Sequence, residues 1–211
     1  MIWPGAPASA RAEGPRNPCG VARRPRASIS TLHGVSSAFV FITDLPAPSP
    51  KAAPAPLELV VRDCRIDPIA SIAIAGGDVR LASLDTRAHR VAIASRGVPS
   101  DPAKPLGSID LAWAGDTVSL ASTAAKPILL ELAPDTAPDD ASWIAIAESR
   151  AAVTDDTGAV TFKAIPAGTH HVVAWLPPIV IAQDVDVAAA GSTDVTIDLG
   201  AGAGAGAARA P

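Results

Sequence analysis

Four histidines, two cysteines and a scatter of aspartates are the side chains of this 211-residue chain from which a metal site or a nucleophile could be built. His89 stands at a loop–strand boundary. An imidazole there serves as a ligand or as a packed, hydrogen-bonded side chain, and the second use is the commoner. Cys64 has no base close to it in sequence, and cysteine is often a small buried hydrophobe. His89 and Cys64 are therefore residual metal candidates only, and no complete catalytic, cofactor or metal set is expected. His170 and His171 are neighbours on a predicted strand, so they point to opposite faces and cannot chelate one ion together. Asp135, Asp139 and Asp140 share a loop, but their order is unlike a dedicated calcium loop and a solvated acidic loop is the simpler reading. Asp155 and Asp156 fit turn chemistry. Gly34-Val35-Ser36-Ser37-Ala38 has the outline of a nucleophile elbow, yet it precedes a strand instead of following one, so Ser36 is not expected to act as a nucleophile. No phosphate loop, H-E-x-x-H or C-x-x-C is present.

The elements that must position these residues read as strands. The chain holds 21 Pro and 16 Gly, which argue for many turns and against long helices. Aromatic residues are 3% of the total, Tyr is absent, and 48% is hydrophobic, so a thin core of Val, Ile, Leu and Ala is expected. Strands are predicted at 37–43, 57–62, 69–75, 78–84, 90–95, 109–113, 117–121, 128–132, 142–147, 160–164, 171–175, around Val185 and Val187, and at 195–199. Their spacing and the turn residues between them indicate sandwiches. In the last third, Val160, Phe162 and Ala164 alternate with Thr161 and Lys163, and Val195, Ile197 and Leu199 with Asp194, Thr196 and Asp198. Both patterns predict antiparallel strands wet on one face.

Charge is unevenly placed. Residues 1–33 carry Arg11, Arg16, Arg23, Arg24 and Arg26 against Glu13, while the whole chain is at −4, so the folded part is acidic and no nucleic-acid surface is expected on it. The leader 1–33 shows no periodicity and reads as disordered. Arg23-Arg24 is followed by Pro25 and Arg26 where an apolar stretch should begin, so no signal peptide is recognisable: either the chain is cytoplasmic as written, or its start is misassigned and a true signal is missing. No run reaches the length of a membrane span. Residues 45–56 hold five Pro and read as a polyproline-II linker or edge-hugging loop. The tail from Gly200, GAGAGAGAARAP, is low-complexity. Cys19 and Cys64 allow at most one intramolecular disulfide, and whether they pair is left open.

Two stretches resemble known families. Segment 151–175, AAVTDDTGAVTFKAIPAGTHHVVAW, resembles the carboxypeptidase-regulatory-like sandwich in its T-D-x-x-G hairpin, apolar strand, P-x-G turn and strand ending in Trp. That module is an accessory fold and implies no peptidase activity. Segment 57–95 resembles the first half of a cupredoxin of the plastocyanin-like, methylamine-utilisation-protein type. The matching residues are Cys64-Arg65-Ile66-Asp67-Pro68, Gly77-Asp78-Val79, Ser83-Leu84-Asp85 and His89-Arg90-Val91. In the family an aromatic residue is usual at Ile66, a His at Ile69 and an Asn at Ser83. The resemblance implies an envelope or periplasmic protein, with envelope proteins as the partners to look for. It also implies a type 1 copper site, whose second ligand group the family supplies as C-x-x-H-x-x-M. Here Pro134, Ala137 and Asp140 stand in those three places, and no Cys or His lies between His89 and His170.

The expectation is thus an all-β chain of two antiparallel, Greek-key-like sandwiches with disordered termini. A cupredoxin-like one spans 56–147 and a carboxypeptidase-regulatory-like one spans 148–200, the latter completed by strand 37–43 from the 34–55 segment, with a tail at 201–211. The expected function is non-catalytic, structural or binding, without a complete copper site and without a cofactor. The alternative is an atypical copper-binding or electron-transfer protein using His89.

Overall fold

The computed structural model describes residues 16–22, 29–30, 34–46, 56–96, 104–121, 128–147, 149–177 and 179–199. Thirteen strands follow in order among them: β1 Phe39–Pro46, β2 Leu57–Arg62, β3 Arg65–Asp67, β4 Ala70–Ile74, β5 Asp78–Ser83, β6 His89–Arg96, β7 Lys104–Leu111, β8 Thr117–Ala121, β9 Ile128–Pro134, β10 Ser142–Ala147, β11 Ser149–Val153, β12 Gly168–Leu176 and β13 Ile179–Val187. One 3₁₀ turn, Pro138–Asp140, lies between β9 and β10. Much of the leader, the 47–55 part of the proline-rich segment and the tail fall outside the described residues.

The strands form three sheets, ordered β11-β1-β12-β13, β4-β10-β9-β6-β7 and β3-β2-β5-β8. Alternate residues of the five-stranded sheet belong to two different cores, which places it between the other two. Ile144 and Ile146 of β10 and Leu130 and Leu132 of β9 join Leu59, Val61, Val79 and Leu81 of the third sheet. Trp143, Ala145 and Ala147, with Leu129, instead pack with Phe39, Phe41 and Trp175 of the first. This explains Ser142–Ala147, every residue of which is buried. A strand covered on both faces has no wet side to alternate with. Each fully buried Leu or Ile stabilises by roughly 1.5–3 kcal/mol.

Several details differ from the sequence-based expectations. The pairs β2–β5 and β4–β10 are parallel, so two of the sheets are mixed; the stretch β3–β4 supplies the crossover that a parallel β2–β5 pair requires. Residues 160–164 and 195–199 form no strand although their apolar residues alternate. Alternation fits one wet face but supplies no partner for the backbone, and β12 is already paired on both sides, by β1 and β13. Segment 148–200 consequently contributes strands to one sheet, and the layer facing that sheet is the five-stranded one. β1, predicted at 37–43, pairs with β11 and β12. β3 and β11 have no counterpart among the predicted strands. The expectation of a leader without structure fails at 16–22, which makes a compact turn against the third sheet's end.

The elbow-like segment ahead of β1 is a packed entry to that strand. Thr154 Oγ1 donates to Val35 O at 2.7 Å and accepts from Ala38 N at 2.9 Å. Gly34 and Gly158 meet backbone to backbone, so closely that a Cβ on Gly34 would collide with Thr157 O. Ser36 is buried in this packing.

Candidate functional site

The β2–β3 hairpin turns on two residues, Asp63 and Cys64, with φ of 55° and 58°. Two positive φ values give the turn the twist of its flanking strands, at a conformational cost for non-glycine residues. Asp85, in the loop between β5 and β6, holds that turn: Asp63 N donates to its Oδ1 at 2.7 Å and Cys64 N to its Oδ2 at 2.9 Å. Asp85 is itself placed by Leu84 N donating to Val61 O at 2.8 Å.

Four residues on, His89 opens β6. Its side chain is 1% exposed and its Nε2 lies 2.8 Å from Asp85 Oδ2. The approach is out of line with the ring N–H direction, and neither ring nitrogen makes a hydrogen bond. A buried imidazole without bonds costs about 1–3 kcal/mol per unsatisfied group, so this is an expensive arrangement.

Cys64 is buried and forms a disulfide with Cys19. The pairing left open by the sequence is therefore made. It fastens the leader to the β2–β3 turn, and Asn17 completes the fastening. Asn17 Oδ1 accepts from Cys19 N and Val21 N at 3.0 and 3.1 Å, shaping the turn, while its Nδ2 donates to Asp63 O at 2.8 Å and Asp140 Oδ2 at 3.2 Å. Arg87 Nη1 donates to Pro18 O at 3.1 Å from the other side. Asn17 and Asp140 are 4% and 2% exposed. Sequence reasoning missed Asp85, Asn17 and Asp140 as members of this cluster. The Asp85–His89 spacing was the one available signal; Asn17 could not be placed without the disulfide.

The three positions where the family resemblance expects Cys, His and Met lie at the same end. Pro134 pairs with Val91, Asp135 N donates to Arg90 O at 2.8 Å, and Pro134, Ala137 and Asp140 are all buried. A type 1 copper centre needs imidazole and soft sulfur together. A pyrrolidine, a methyl group and a carboxylate supply neither, and Cys64 Sγ is bonded to Cys19. The residues present do not fit that copper site. Of the loop's aspartates, Asp135 is exposed and Asp140 faces Asn17, while the Asp139 side chain lies outside the described residues; among the described residues the loop's acids form no metal-binding group. Among the described residues, Cys19 Sγ, Cys64 Sγ and the Asp85 carboxylate do come together, all within 4.8 Å of one another.

His170 and His171 face apart and serve separate acids. His170 Nδ1 lies 2.7 Å from Asp44 Oδ2 and its Nε2 2.9 Å from Pro166 O, whereas the exposed His171 has Nδ1 2.8 Å from Asp184 Oδ1. Both nitrogens of His170 face acceptors, so only the imidazolium satisfies both. The Asp44 hydrogen bond raises the His170 pKa above its usual value, and the same bond lowers that of Asp44. The signs set a window. The His170 contribution is complete below about pH 6.5 and fades as pH rises through the raised folded value; that of Asp44 is complete above about pH 4 and fades below it. Thermal melts from pH 5 to 9 will show a fall in stability on the alkaline side that His170→Gln flattens.

No protein-family model matches the chain, and no curated protein matches it. Solved structures give partial likenesses. A copper-containing nitrite reductase from Thermus scotoductus SA-01 is 18% identical with a TM-score of 0.37, over 49% of this chain and 25% of that one. A purple cupredoxin from Nitrosopumilus maritimus is 14% identical, TM-score 0.33, over 43% of this chain and 99% of that one. An oxidised amicyanin variant is 12% identical, TM-score 0.36, over 53% and 99%. The matched region is only a quarter of the nitrite reductase. At these values the likenesses carry nothing about ligand, activity or partner.

Proposed function

We propose that this chain is a non-catalytic structural or binding protein of an oxidising compartment, the cell envelope, and that its oxidised form works without a metal. One observation carries this reading: the Cys19–Cys64 disulfide ties the leader to the β2–β3 turn at the His89 end of the sandwich, the end to which the cupredoxin resemblance would assign a copper ion. Disulfides of this kind persist where thiols are not kept reduced, which supports the envelope over the cytoplasm. The described residues include no helix long and apolar enough to cross a membrane. The partner chemistry consistent with this reading is another envelope protein.

Fractionation of the source cells with thiol-blocking before lysis tests the placement. The expected result is chain in the extracytoplasmic fraction with both cysteines already paired. Cytoplasmic chain with two free thiols would overturn the reading. The second reading, copper held through His89, is favoured by one feature only, the two unbonded nitrogens of that buried ring.

A further inference from the structure

We propose that the reduced form of this chain binds one zinc(II) ion through Cys19, Cys64 and Asp85, with His89 as the fourth donor. This goes beyond the proposed function, which concerns the oxidised chain, and it uses none of the positions 134, 137 and 140.

Two independent observations converge on the place. The first is the gathering of two sulfur atoms and one carboxylate within 4.8 Å of one another, across residues 19, 64 and 85. The second is His89, whose buried ring sets Nε2 2.8 Å from that same carboxylate at an angle that makes no hydrogen bond, and whose Nδ1 has none either. An imidazole buried this way is costly unless something uses its lone pair. Asp85 is preorganised, since two backbone N–H groups of the β2–β3 turn fix it.

The donor chemistry selects the ion. Two thiolates, one imidazole and one carboxylate make a closed four-coordinate set of the kind zinc takes in structural sites. Sulfur donors disfavour calcium and magnesium, which take oxygen. Three negative groups in a mostly buried spot also need a cation to stay ionised.

The disulfide must first be opened. A dithiol reductant supplies two electrons: the S–S bond breaks, each sulfur takes a proton, and the reductant closes its own disulfide. Zinc then displaces the two thiol protons as it binds. In the oxidised chain both sulfurs are spent on each other. The ion and the disulfide are therefore alternative fastenings of the same leader turn to the same hairpin, one for a reducing compartment and one for an oxidising one.

The test uses the full chain and zinc(II) alone. Reduction is by a water-soluble phosphine, which takes the oxygen of water to become phosphine oxide while the disulfide becomes two thiols. Competition with a chromophoric chelator then measures affinity, and cobalt(II) in place of zinc reports thiolate ligation by absorption. One equivalent is expected in the reduced chain and none in the oxidised chain. His89→Gln and Asp85→Asn are each expected to weaken binding by roughly 10-fold or more. Cys19→Ser, which lies outside both cores and leaves the strands untouched, is expected to weaken it at least as much. Absence of binding by the reduced chain overturns the inference and leaves the oxidised, metal-free reading standing, as does binding undiminished in Cys19→Ser or His89→Gln. Stoichiometric zinc on the oxidised chain would contradict the inference and the metal-free reading together.

Discussion

Trp143→Ala will destabilise the protein by about 3–5 kcal/mol, measured by denaturant unfolding. The indole is 4% exposed in the core between the five-stranded sheet and the first sheet, with Phe39, Phe41, Leu129 and Trp175 around it. Truncation removes its transfer free energy and leaves a cavity that two stacked sheets cannot collapse, because both are pinned by backbone pairing. A smaller loss is added at the edge of that core. Arg96 packs its guanidinium 5.4 Å from the Trp143 ring and also meets Glu131 at 3.2 Å. Cation–π contacts of this exposure contribute about 0.5–1 kcal/mol. The variant will therefore lose more than Ile146→Val, which trims one methylene from the opposite core at a cost of about 0.5–1.5 kcal/mol. Equal losses in the two variants would mean that Trp143 does not close the second core.

Removing the disulfide by Cys19→Ala will cost about 3–4 kcal/mol, the loss expected when a crosslink over a loop of this length no longer restricts the unfolded chain. The bond spans 45 residues of sequence, most of the distance from the leader to the first hairpin. The native state also loses what the crosslink aligns, namely the two hydrogen bonds from Asn17 Nδ2 to Asp63 O and Asp140 Oδ2. The buried Asp140 carboxylate then loses its Asn17 donor. Denaturant titration of wild type and Cys19→Ala under non-reducing conditions, followed by tryptophan fluorescence, measures the difference. A difference below about 1 kcal/mol would mean that the leader is not held to the sandwich by this bond, since that is far less than the loop length predicts.

Much of the strand content was legible in the sequence because short β-branched runs bounded by Gly, Pro and Asp are local signals. Leu57–Arg62, Asp78–Ser83 and Ser142–Ala147 stand where their composition placed them. Apart from the grouping of 37–43 with segment 148–200, whose strands β11 and β12 do pair with β1, the sequence did not show which strands share a sheet. Alternation at Val160–Ala164 and Val195–Leu199 is as clean as anywhere in the chain, yet neither forms a strand, because pairing is a non-local property. Conversely, 142–147 read as one strand among the others, and nothing in it showed that its two faces belong to different cores.

The candidate site was legible in part. His89 and Cys64 were singled out by residue type, and the missing sulfur and imidazole donors at 134, 137 and 140 follow directly from the residues present. The partner of Cys64 was not decidable, because Cys19 sits in a leader with no periodicity. Asp85 belongs to the stretch that matches the cupredoxin pattern, but the sequence assigns it no role. Its role depends on the positive φ of Asp63 and Cys64, which turns both backbone N–H groups toward one carboxylate. Asn17 reaches Asp140 across 123 residues of sequence, a separation at which composition says nothing.

The central claim is that the oxidised chain holds its His89 end closed without a metal. Copper(II) added to the purified, non-reduced protein, followed by gel filtration, metal mass spectrometry and a visible spectrum, tests it most directly. The account predicts no stoichiometric copper on the chain and no thiolate-to-copper absorption. One equivalent of copper retained by the wild type and lost in His89→Ala would contradict it.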